Sequence, residues 1–183
     1  MGRYAALLRG INVGGKNMLP MKLLAELFSL AGCTEVVTYI QSGNVVFSAS
    51  AAVAKRVGNA VSRGIEAQLG LRVPVVVRSA EEMAAVVRGN PFAEPVGGLH
   101  VMFLGDRPSA DAVAGLDAER SPGDRFVVAG ADIYLALENG VARTKLTNAY
   151  FDSRLKTVST LRSWRTVVTL AEMAGVEGLQ DLS

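Results

Sequence analysis

Two rhythms of hydrophobic residues alternate along this chain. Short apolar runs predict strands, and apolar residues three and four apart predict helices. Tyr4 to Arg9 is a short apolar run, followed by a glycine- and asparagine-rich loop from Gly10 to Leu19. A helix is expected from Pro20, whose missing amide hydrogen costs nothing at a first helical position. Leu23, Leu24, Leu27, Phe28 and Ala31 form its apolar stripe, and Gly32 ends it. Glu35 to Ile40 and Asn44 to Ser48 read as a hairpin around Gln41-Ser42-Gly43. Val53, Val57, Val61, Ile65 and Leu69 mark a second helix, and Val73 to Val77 a fourth strand.

That order, strand-helix-strand-strand-helix-strand, is the split βαβ arrangement of ferredoxin-like folds. The second half repeats it. Ser79 with Glu82 forms a capping box for a connecting helix that stops near Gly89-Asn90-Pro91. A strand is expected over Leu99 to Leu104, a helix over Ser109 to Leu116, and a hairpin over Arg125 to Ala129 and Ile133 to Leu137. Thr144 to Leu155 reads as helix, Lys156 to Thr160 as a short strand, and Ser163 to Ala174 as a final helix. The fold class is therefore α+β, two tandem ferredoxin-like (alpha-beta plait) units. The first spans 1–79 and the second 80–183 with an extra terminal helix, the order of elements restarting near Arg78 to Ala80. Only that order repeats; no repeat is visible between the residues of the halves.

Half of the 183 residues are apolar and 20% are charged, the balance of a chain that buries a core. The net charge of +2 conceals an uneven distribution. Met1 to Leu24 holds Arg3, Arg9, Lys16 and Lys22 with no acid, and Arg143 to Arg165 holds six basic residues against Asp152 alone. Brought together, the two segments would attract anions; kept apart, each is a solvated edge. Cys33 is the one cysteine, so an internal disulfide is excluded. The early charges at Arg3 and Arg9 leave no room for a secretory apolar core, and no apolar run approaches the ~20 residues of a membrane span. A cytoplasmic location and no membrane partner are expected.

The chemistry concentrates in Gly10-Ile11-Asn12-Val13-Gly14-Gly15-Lys16-Asn17. It fits the phosphate-cradling pattern G-x-x-x-x-G-K, except that asparagine replaces the hydroxyl that ligands Mg²⁺. Pro20 also delays the helix, so Lys16 is not beside a helix N-terminus. A looser anion nest of glycine amides with Arg9 and Lys16 survives, against an ordinary turn shaped by glycines and satisfied by asparagines. Gln41, Ser42 and Asn44 crowd hydrogen-bonding side chains into one turn, chemistry that a hairpin itself also requires. That turn and the end of the first strand are expected at opposite ends of their strands. Arg162 and Trp164 flank Ser163, a candidate N-cap, near the start of the last helix. His100 is the one histidine, which leaves histidine-based triads and metal sites poorly supplied. Cys33 follows a helix end that disfavours thiolate.

Leu7 to Leu24 and Thr38 to Ser48 closely resemble the bacterial family catalogued as domain of unknown function 1697. Asn90-Pro91-Phe92, Lys145-Leu146-Thr147-Asn148 and Thr160 to Val167 resemble its later motifs. The resemblance implies two alpha-beta-plait domains and supplies no catalytic residues. Around the tryptophan the family reads Arg-Asn-Trp-Asn-Thr, whereas this chain has Ser163 and Arg165 in place of the asparagines.

The function expected is binding of an anionic, phosphorylated small molecule by Arg9, Gly10, Asn12, Gly14, Gly15 and Lys16, joined by Lys145 and Arg162. Gln41, Ser42, Asn44 and Trp164 are secondary candidates; the sequence implies no metal and names no cofactor. One alternative is an RNA- or DNA-binding protein that uses Tyr4 and Phe47 on the sheet. The other is an enzyme acting on a phosphate ester or nucleotide.

Overall fold

The computed structural model describes residues 1–92 and 98–179. Eight strands and six helices follow one another as β1 (Gly2–Leu8), α1 (Met21–Leu30), β2 (Thr34–Tyr39), β3 (Asn44–Ala49), α2 (Ala51–Leu69), β4 (Val75–Ser79), α3 (Ala80–Arg88), β5 (Leu99–Leu104), α4 (Ala110–Ala114), β6 (Arg125–Ala129), β7 (Asp132–Ala136), α5 (Asn148–Leu155), β8 (Ser159–Ser163) and α6 (Trp164–Met173) among the described residues. Two antiparallel sheets result, ordered β2-β3-β1-β4 and β6-β7-β5-β8. Each is the same α+β plait, so the chain holds two ferredoxin-like sheets in tandem.

In the first unit, β1 and β3 turn Ala6, Leu8, Val45, Phe47 and Ala49 toward the buried stripes of α1 (Leu24, Leu27, Phe28) and α2 (Val57, Val61, Ile65). Ser50 caps α2 through the Val53 amide, and Gly70 ends it in the left-handed conformation that a Cβ would disfavour. Phe47 stacks on Tyr4 at 5.6 Å and lies against Phe28 at 5.2 Å. The second unit repeats the plan with Met102, Leu104, Ile133 and Leu135 against Tyr150, Phe151 and Leu155 of α5.

The opposite sheet faces are buried as well, at Ala5, Leu7 and Val46 in the first unit and at Val101, Phe103 and Ala136 in the second. The chain divides into compact units Met1–Ala85 with Val168–Ser183, and Val86–Val167. Each unit thus takes the tail of the helix that follows the other's last strand. Within the first, Arg3 donates to the Met173 carbonyl at 2.9 Å, and within the second, the Tyr134 hydroxyl donates to the Val86 carbonyl at 2.7 Å. The sequence boundary at 79/80 falls at the first residue of α3, while the compact units part inside that helix.

Three of the element boundaries that differ from the sequence reading do so for a local reason. The helix expected from Thr144 starts at Asn148, because Thr147 caps it and the Thr144 hydroxyl accepts the Leu146 amide instead. The strand expected over 156–160 runs over Ser159–Ser163, because Lys156 ends α5 in the left-handed region. The fourth strand starts at Val75, because Pro74 before it has no amide hydrogen to give the ladder.

Cys33 packs in the first core, and burial pushes its thiol up to about 11. Native protein should therefore resist a thiol reagent at neutral pH for hours, then label fully in denaturant. Labelling of the native chain within minutes would contradict this packing.

Candidate functional site

Antiparallel pairing of β1 with both β3 and β4 sets Leu7 opposite Asn44 and Leu8 opposite Val75. The end of β1, the β2–β3 turn and the α2–β4 connection consequently share one end of the sheet. The Leu8 amide donates to the Gly43 carbonyl at 2.8 Å, and the Arg9 amide to the Pro74 carbonyl at 3.1 Å. This corrects the expectation that the turn and the strand end lie far apart. The three connections, residues 9–20, 40–43 and 70–74, carry Arg9, Lys16 and Arg72 and no carboxylate. Arg72, which the sequence reading passed over, pairs with Glu66 of α2 at 2.9 Å. Its signal was topological rather than a motif: the strand order alone brings it here.

The loop after β1 is a small hairpin. Val13 and Lys16 bridge across Gly14-Gly15, and the amides of Lys16 and Asn12 donate to Val13 and Asn17 carbonyls at 3.0 and 3.1 Å. Gly14 and Gly15 have φ of 57° and 74°, the positive pair that a type I′ turn demands. Asn12 supports the hairpin from below. Its Oδ1 accepts the Leu19 amide at 2.8 Å, and its Nδ2 donates to the carbonyls of Leu19 at 3.0 Å and Gln41 at 2.9 Å. Asn17 donates to the Gly10 carbonyl at 2.8 Å, so the side chain at the Mg²⁺-hydroxyl position closes the loop. A phosphate cradle wraps inward onto a helix N-terminus; this hairpin projects outward. Val13 is 65% exposed and Met18 60%, whereas Ile11 and Leu19 at the hairpin's base are buried in the core.

The second unit serves as an internal control. There the Leu104 amide donates to the Ala131 carbonyl at 2.9 Å and the Gly105 amide to the Val158 carbonyl at 2.8 Å, the same two bonds at the same junction. Yet Gly105 to Pro108 leads directly to Ser109, the N-cap of α4. The fold closes without a hairpin, so the extra chain after β1 exceeds what the plait needs.

The other candidates fall elsewhere. Gln41 and Ser42 are exposed in the β2–β3 turn beside Asn12. Asn44 is fully buried and donates to the Tyr39 carbonyl and the Ser42 hydroxyl, holding that turn shut. Lys145 lies in the second unit after β7, its amide held by Ser121 and its carbonyl by Arg120. Asp124 organises that segment, accepting from Ser121 and from the Asn139 amide. Burial pushes its carboxyl up, and hydrogen bonds from Asn139, Thr144 and Ser121 more than offset this, holding it below the usual range. Arg162 is buried in β8, donating to Thr160 and the Leu161 carbonyl, and burial pushes its guanidinium down to about 10. Trp164 is half-buried at the first turn of α6. Arg9 to Lys16 thus belong to the first unit, and Lys145 and Arg162 to the second.

Phe47, one of two aromatics expected on an RNA-binding sheet, is instead sealed in the core. With both sheet faces buried, neither can stack bases as a ferredoxin-like RNA platform does. Among the described residues, no group of three or more His, Cys, Asp or Glu could hold a metal ion, and no helix is long and apolar enough to cross a membrane.

The profile of a family described as "Protein of unknown function (DUF1697)" matches residues 1–134, which include the whole three-loop end. The chain belongs to that family. Among solved structures, the DUF1697 chain is similar to the conserved bacterial protein SP0830 from Streptococcus pneumoniae, with a TM-score of 0.70 and 23% identity. The match covers 94% of this chain and 98% of that one, a likeness of fold. No curated protein matches the DUF1697 chain significantly.

Proposed function

We propose that this DUF1697 protein is a binding module for a phosphate-bearing anionic ligand, held at the three-loop end of its first sheet. One observation carries the reading: an added hairpin exposes Lys16 at the same end of the sheet as Arg9 and Arg72, on loops without a single carboxylate. No carboxylate lies in those loops, Glu66 of α2 reaches only Arg72, and the equivalent junction of the second unit dispenses with the hairpin. Charge comes from side chains, because the Asn12 and Lys16 amides are used inside the hairpin. Gln41, whose carbonyl the hairpin grips, and Ser42 supply neutral hydrogen-bonding groups alongside.

Thermal shift and calorimetry against phosphate, sulfate, nucleotides and sugar phosphates test this. A charge-assisted hydrogen bond contributes about 1.5–3 kcal/mol, so Lys16→Ala should weaken binding by roughly 10- to 100-fold. Stability should stay within about ±0.5 kcal/mol, since the lysine is exposed. Absence of binding to every anion, or equal binding by Lys16→Ala, would leave the hairpin without this role.

A further inference from the structure

We infer that β6 is a self-association edge, along which two copies of this chain pair antiparallel about a two-fold axis at Val127. β6 is an outermost strand, hydrogen-bonded to β7 on one side. Its Gly130-Ala131 connection to β7 is a two-residue hairpin loop with Gly130 at a φ of 63°, which makes Ala129 and Asp132 a hydrogen-bonded pair. Alternation along the ladder then turns the amides and carbonyls of Phe126 and Val128 outward. No bond among the described residues takes them. An open edge is a template for pairing, which proteins commonly blunt with bulges, prolines, lysines or inward charges. The first unit does so. There β2 holds the equivalent outermost place, its register shifts between Thr34 and Val37, and Glu35 stands at a φ of 48°. β6 keeps an unbroken register with β7, from Arg125 opposite Ala136 to Ala129 opposite Asp132, and carries no proline, lysine or acid. β8, the opposite edge of the same sheet, buries three of its five residues, whereas β6 buries none.

A second copy fits this edge because the edge is complementary to itself. About a two-fold at Val127, Phe126 faces Val128 of the other copy, and their outward groups supply the bonds that neither has alone. Val127, 38% exposed, meets its own image at about 4.5 Å between Cα atoms, the close spacing of a non-hydrogen-bonded pair. Arg125 falls opposite Ala129 of the other copy, and Asp132 stands on the far side of that alanine. Opposed residues share a face, so Arg125 reaches across a methyl group toward a carboxylate two strand spacings away, about 9–10 Å between Cα atoms. Within its own chain Arg125 pairs with Glu138 at 3.8 Å, both side chains more than half exposed, a contact that holds it weakly. The one charge on β6 thus faces its opposite sign, twice by symmetry, while the two arginines stand at opposite ends of the pairing. An interface of this length is smaller than a standard one, so association is reversible and concentration-dependent.

Sedimentation equilibrium of the full chain from micromolar to millimolar concentration tests this, with Val127→Lys and Val127→Glu run singly and mixed. Wild type should shift from monomer to dimer as it is concentrated. Each variant alone sets like charges face to face in place of a valine pair and should dimerise roughly tenfold more weakly. An equimolar mixture sets lysine against glutamate and should recover most of that loss. Both variants should keep the wild-type urea midpoint, because the Val127 side chain reaches solvent. Hydrogen exchange on wild type reads the same edge without a substitution: the Phe126 and Val128 amides should slow as concentration rises. A monomer throughout the range overturns the inference, as does a dimer that neither variant weakens. Loss in both variants without recovery on mixing overturns the two-fold pairing at Val127, and so does exchange at Phe126 and Val128 that ignores concentration.

Discussion

Replacing Phe47 with alanine is expected to destabilise the protein by about 3–5 kcal/mol, near the top of the range for a buried aromatic. Phe47 is fully buried at the middle of β3, between the Tyr4 ring on β1 and Phe28 on α1. Truncation removes the transfer free energy of the ring and leaves a cavity that neighbouring strand backbones cannot close. It also abolishes two ring–ring contacts, each contributing about 0.5–1.5 kcal/mol beyond burial. Urea denaturation followed by far-UV circular dichroism measures it, with a lower midpoint and an unchanged slope as the expected outcome. Phe47→Leu keeps more of the volume and should cost much less. A loss under 1 kcal/mol for Phe47→Ala would return the side chain to the solvent-facing surface that an RNA-stacking sheet requires.

Local signals made most of the first unit legible. The Leu24, Leu27 and Phe28 spacing of α1, the four-residue rhythm of α2 and the Gln41-Ser42-Gly43 turn are short-range and recur in the structure. The Ser79–Glu82 capping box also forms, the Ser79 amide donating to Glu82 and the Glu82 amide to Ser79. Relations between distant residues were harder to read. Strand order decides which loops share an end, so Asn12 and Gln41 meet across 29 positions with nothing nearby announcing it.

The internal duplication was hidden for a similar reason, because its equivalences are backbone bonds rather than matching side chains. Leu8 with Gly43 corresponds to Leu104 with Ala131, and Arg9 with Pro74 to Gly105 with Val158. One residue-level trace survives. Both terminal strands end in Arg-Ser before a helix, Arg78-Ser79 and Arg162-Ser163. Both arginines are buried and donate to the carbonyl of the preceding residue. Such an arginine satisfies part of its hydrogen-bonding need within its own strand, which lets a charged group sit in an interior. The sequence neighbours of Arg162 point to an anion ligand. Its burial gives it a structural task that does not require one.

Asn12→Ala is the substitution that should hurt the hairpin most, at a cost of about 2.5–6.5 kcal/mol. Three hydrogen bonds disappear, to the amide and carbonyl of Leu19 and to the Gln41 carbonyl, each with a net contribution of about 0.5–1.5 kcal/mol. Residue 12 also stands at a φ of 53°, where alanine is strained by about 1–2 kcal/mol and asparagine is better tolerated. Asn12→Gly separates the two costs, since it removes the bonds and relieves the strain. It should lie between wild type and Asn12→Ala. The readouts are urea stability and limited trypsin cleavage after Lys16, because a hairpin cut loose from Leu19 and Gln41 exposes its backbone to protease. Cleavage after Lys16 should accelerate in both variants and faster in Asn12→Ala. If Asn12 only shaped a passive turn, Asn12→Gly would match wild type in both measurements. A drop in anion affinity in both variants, with Lys16 itself intact, would tie the posture of the hairpin to binding.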